Sequence, residues 1–135
     1  MTDAEFEAQL ARIRPLVDRW CDRLHLWDYL HELTIRYDRD GDDMTERGYR
    51  DSAGITTVWW EYKRASVIFD LSKVVELSDA MLEYVVVHEF MHIYLQQVID
   101  AFAENRQVTD LQGAHVERTA TDLAQALMWA TAPST

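Results

Sequence analysis

Between Ser78 and Phe102 the chain runs without a glycine or a proline, and its apolar residues fall on every side of a helix. Met81, Leu82, Tyr84, Val85, Val86, Val87, Phe90, Met91, Ile93, Tyr94, Leu95, Val98 and Ile99 leave no polar face to give to water. A helix of that kind is stable only when other elements cover it all round, so it must sit at the centre of whatever fold forms. Ser78 is placed to cap its start, and its length is roughly 20 residues. It is not a membrane span, because His88, Glu89, His92, Gln96 and Gln97 interrupt it. Three ionisable side chains in the middle of an apolar helix are costly unless something compensates them, and a metal ion does so.

Those three lie in one motif, His88-Glu89-Phe90-Met91-His92, an H-E-x-x-H pattern. Residues four apart share a helix face, so His88 and His92 can aim two imidazoles at one ion. Glu89 projects about 100° round from His88, within reach of a water on the metal without ligating the metal itself. The competing reading is two buried histidines and a glutamate satisfied by hydrogen bonds alone.

The rest of the chain bounds the class. Its 135 residues make one domain, 1–135, with 48% apolar residues to build a core. A net charge of −11 argues against nucleic acid or an anionic membrane as partner, and serves solubility. Cys21 is the only cysteine, so no internal disulfide and no cysteine zinc site can form. The acidic, polar start Met1-Thr2-Asp3-Ala4-Glu5 has no signal-peptide character, and a cytoplasmic location is expected.

Thr2 with Glu5 predicts a capping box and a helix to about Ile13. Pro15 is expected to interrupt or restart it, with Leu16, Val17, Trp20, Leu24 and Trp27 continuing a core-facing stripe. His31 to Tyr37 alternates apolar and polar residues, which predicts a half-buried strand. Residues 38–52, with Gly41 and Gly48, read as a loop. Ile55–Tyr62 and Ala65–Leu71 read as a hairpin turning at Lys63-Arg64. A loop through about Gln112 precedes a last helix from about Ala114 to Trp129. The fold class is therefore α+β, with a small sheet.

A hydrolytic zinc site takes three protein ligands, so two histidines are not enough. On the last helix Val116, Ala120, Leu123, Ala124, Leu127 and Met128 form an apolar stripe, and Glu117 lies at its edge. His115 falls on the polar face with Arg118, Thr119 and Asp122. A core-facing carboxylate wants a partner, which selects Glu117 as third ligand, with His115 the alternative if the helix begins later. His25 and His31 have no partners at metal spacing.

The motif followed by a glutamate helix resembles the gluzincin clan of zinc metallopeptidases, and the small size is similar to the compact minigluzincins. The resemblance covers most of the chain. It implies a zincin-like fold: an N-terminal helix, a three-stranded mixed sheet ending in Arg64-Ala65-Ser66-Val67-Ile68-Phe69, the buried motif helix and the glutamate helix. The metzincin extension is absent, since Leu95 and Val98 stand where its glycine and third histidine would be. Two departures stand out. Thr121 occupies the position where gluzincins often place an acidic residue that orients the first histidine, and only Pro133-Ser134-Thr135 follow the last helix, leaving no subdomain to stabilise the oxyanion.

The implied activity is peptide-bond hydrolysis with one Zn²⁺ on His88, His92 and Glu117, and a metal-held water activated by Glu89. The implied partner is a peptide or protein substrate, lying extended along the strand near Ile55 to Glu61. Trp59, Trp60, Tyr84 and His115 are weak candidates for contacts with the substrate or the oxyanion. The rival class is a latent or non-catalytic zinc-stabilised binding domain.

Overall fold

The structure, a computed structural model, describes residues 1–46, 48, 52–103 and 110–131. Among them are six helices and a three-stranded mixed sheet, an α+β arrangement. Helix α1, Asp3–Arg23, begins with the capping box: Thr2 Oγ1 accepts from Glu5 N at 3.1 Å, and Glu5 Oε2 accepts from Thr2 N at 2.8 Å. It runs straight through Pro15, contrary to the interruption expected there. Proline removes one backbone hydrogen bond, to the carbonyl of Ala11, and both residues lie on the exposed side where water can replace it. The buried stripe of Leu10, Ile13, Val17, Trp20 and Cys21 meanwhile holds the helix together from the other side.

The chain leaves α1 at His25, whose left-handed backbone (φ 52°) resets the helical register before α2, Leu26–Tyr29. Leu26 turns inward as a result, and Trp27, expected in the core, is 57% exposed. Strand β1, Glu32–Asp38, alternates as predicted, with Leu33, Ile35 and Tyr37 on the covered side. The segment expected as loop contains a short helix α3, Asp42–Glu46, held by its buried Met44 and by Met44 N donating to Asp38 Oδ2 at 3.3 Å.

Strands β2, Gly54–Trp59, and β3, Arg64–Asp70, pair antiparallel from Trp59↔Arg64 to Gly54↔Phe69. The first strand is shorter than expected, because Trp60–Tyr62 coil into a 3-10 turn closed by Lys63 in the left-handed region (φ 47°). β1 runs parallel to β3, Glu32↔Arg64 to Asp38↔Asp70, so the order is β1-β3-β2. The central strand is covered on both faces, with Ala65, Val67, Ile68 and Phe69 all buried, and β2 forms one edge.

After α4, Leu71–Val74, capped by Asp70 Oδ1 on Ser72 N, the central helix α5 spans Asp79–Ala103. Ser78 caps it, accepting at Oγ from Met81 N. Covered by α1, β2 and the last helix α6, Asp110–Thr131, it buries Leu82, Val86, Val87, Phe90 and Ile93. No helix among the described residues is long and apolar enough to cross a membrane.

Candidate metal centre

One turn of α5 stacks His88 over His92, and their Nε2 atoms lie 3.2 Å apart. α6 runs beside α5 and delivers Glu117, whose Oε2 is 3.1 Å from His88 Nε2 and whose Oε1 is 3.0 Å from His92 Nε2. These are the three groups that helical geometry singles out in the sequence, and the described residues bring them together. His115, two residues earlier, is exposed and outside the group. Glu117 itself departs from expectation. Its side chain is not core-facing but 62% exposed, and it reaches the imidazoles from the rim of an open cleft.

The arrangement suits a zinc ion. One donor atom from each of His88, His92 and Glu117 lies within 4.8 Å of the others, and imidazole with carboxylate is a donor set that zinc accepts. Burial lowers the pKa of His92, ahead of the opposing pull of Glu117, which favours the neutral ring that a metal ligand needs. Thr121 Oγ1 lies 3.4 Å from His88 Nδ1. In the tautomer that donates from Nδ1 to that oxygen, His88 Nε2 presents its lone pair to the other two donors. A hydroxyl thus stands where the gluzincin resemblance leads one to look for a carboxylate.

Glu89 lies beside this triangle, 7% exposed, with Thr56 Oγ1 of β2 at 2.9 Å from its Oε1. Burial pushes its carboxyl up to about 7; the Thr56 hydrogen bond pulls it down, and the charge of Glu117 raises it further. A carboxyl that gives and takes a proton near neutral pH has the property a general base and acid requires. Gly54, two residues before Thr56, is pressed against it: a Cβ there would meet Glu89 Cγ at 2.8 Å.

A cleft of about 540 Å³ opens over these groups, walled by Ser52 to Thr56 on one side, by Val116 and Glu117 on the other, and floored by α5 from Tyr84 to Ile99. Tyr84 lines it one turn before His88, its ring centroid 5.9 Å from the imidazole's. Trp59 and Trp60 do not line it. Trp59 lies at the far end of β2 beneath the Arg64 guanidinium, 4.5 Å from its ring centroid, and Trp60 belongs to the 3-10 turn. His25 and His31 are both exposed, away from the cleft. Gly54 and Thr56 went unremarked in the sequence, and the signal that they share a face is their two-residue spacing in a strand.

Compared with protein-family models, curated proteins and solved structures, the chain matches none of them.

Proposed function

We propose that this chain is a zinc-dependent metallopeptidase with a zincin-like fold, of the gluzincin kind. The observation that carries the reading is the group of His88, His92 and Glu117 with the buried carboxyl of Glu89 at its side. The two imidazoles and the carboxylate would hold the ion as its three protein ligands. Bound zinc supplies acidity to a water and polarises the scissile carbonyl. Glu89 accepts the proton of the attacking water at its carboxylate and delivers it to the leaving nitrogen.

The substrate is a peptide or unfolded protein segment. Among the described residues the outer edge of β2 carries no partner strand, and its first residues border the cleft, so an extended peptide can add to it through backbone hydrogen bonds. Tyr84 lines the cleft one turn before His88 and is the residue we assign to the oxyanion side. A cytoplasmic setting suits a chain whose lone thiol, Cys21, is buried and unpaired.

One observation favours a latent or non-catalytic zinc-stabilised domain: His88 is backed by a hydroxyl rather than a carboxylate, which weakens metal binding. Against it, a purely structural site has no use for a desolvated carboxyl beside an open coordination position. Metal analysis and cleavage of casein or a peptide library by wild type, Glu89→Ala and Glu117→Ala decide the matter. We expect one zinc per chain, kept by Glu89→Ala without cleavage and lost by Glu117→Ala. Cleavage that survives Glu89→Ala would end the peptidase reading, and zinc without cleavage in the wild type would favour the structural one.

A further inference from the structure

Strand β2 forms more than a wall of the cleft. Gly54 and Thr56 stand two apart, so they face the same side of the strand, and both meet one side chain of α5. At Gly54 a Cβ would lie 2.8 Å from Glu89 Cγ, 3.2 Å from its Cδ and 3.2 Å from Phe69 Cδ1. Only a residue without a side chain leaves room for the stem of the acid against the strand. At Thr56 the hydroxyl oxygen is 2.9 Å from Glu89 Oε1 and 3.0 Å from the Glu89 backbone oxygen. The strand thus meets Glu89 at its stem, its carboxylate and its main chain.

A hydroxyl has one hydrogen to donate and two lone pairs to offer. Facing a carboxylate, Thr56 gives its hydrogen to Oε1. The Glu89 carbonyl lies within reach of the same hydroxyl, so one rotating donor can serve the carboxylate or the main chain of Glu89.

We propose that Gly54 and Thr56 form a seat for Glu89, with Thr56 a positioning residue whose hydroxyl holds the carboxyl group against the strand. This rests on the peptidase reading above. The alternative role for Thr56 is a plain structural tie between β2 and α5, which would affect folding but not turnover.

The test compares Thr56→Val, which keeps the shape and removes the hydroxyl, with Thr56→Ser, which keeps the hydroxyl, alongside Glu89→Ala. Zinc content, kcat and KM are measured for each on one peptide substrate. We expect Thr56→Val to lose about 10- to 100-fold in kcat, part of what a general base contributes. KM and zinc content should stay within about twofold, and Thr56→Ser should recover most of the rate. Wild-type turnover in Thr56→Val, with Glu89→Ala inactive, would overturn the seat and leave the peptidase reading standing. Cleavage that persists in Glu89→Ala would instead sink that reading. A second measurement needs no activity: urea midpoints of metal-free wild type, Thr56→Val, Glu89→Ala and the double variant. Additive shifts overturn the seat whatever the turnover shows, and non-additive ones leave the kcat of Thr56→Val to separate the seat from the structural tie.

Discussion

Replacing Glu89 by glutamine in the metal-free protein should raise its stability, by an amount that grows with pH. The carboxyl of Glu89, ordinarily at 4.5, is pushed up to about 7, with burial the largest cause. In the unfolded chain the ordinary value returns. Below pH 4.5 both states hold the proton and the acid costs nothing. Between 4.5 and 7 the unfolded chain releases it while the folded chain keeps it, so stability falls as pH rises. Above 7 the folded state ionises too and the cost is fully expressed. A rise from 4.5 to about 7, at 1.36 kcal/mol per pH unit, amounts to about 3 kcal/mol. Glutamine never ionises, and its amide oxygen can still accept from Thr56. Urea titrations of both proteins with a chelator present, at pH 4.5, 6 and 8, measure the difference directly. Contributions from the other titratable groups are common to both and cancel to first order. The expected gap between variant and wild type is near zero at the lowest pH and about 3 kcal/mol at the highest. A gap that does not change with pH, or a glutamine variant that is the weaker protein at pH 8, would refute the reasoning.

Three other outcomes follow from the same geometry. Zinc at a thousandfold over its dissociation constant should stabilise the wild type by about 4 kcal/mol, and Glu117→Ala should show almost none of that gain in thermal melts with and without chelator. Thr121→Val should weaken zinc binding by about tenfold, measured by competition with a chromophoric chelator, because His88 Nδ1 loses its partner; an unchanged affinity would mean the hydroxyl does not orient the ring. Cys21 is 1% exposed, and burial is the largest of the causes that push its thiol up to about 12, so a thiol reagent should fail to label it until the protein unfolds. Prompt labelling of the native protein would show that the inner face of α1 is not closed.

Much of this was legible in the chain because helices announce their faces. An uninterrupted apolar run placed α5 at the centre, four-residue spacing joined His88 to His92, and the edge of a stripe picked out Glu117 over His115. Pro15 misled because propensity weighs a lost hydrogen bond, whereas the stripe from Leu10 to Cys21 supplies the tertiary packing that outweighs it. Trp27 misled for the opposite reason. One left-handed residue at His25 turns the helix register, and no periodicity reveals that in advance. The partners of Glu89 were hidden more deeply. Thr56 lies 33 residues away on another element, and alternation tells which residues share a face but not which neighbour that face will meet.

The way α6 is attached carries a consequence of its own. Among the described residues this 22-residue helix packs mainly on α5, and it brings one donor of the triangle while α5 brings two. An ion held there would clasp α6 to the core. Without it the helix would keep only packing such as that of the buried Ala120 and Ala124, and would be the part of the chain most ready to open to a protease.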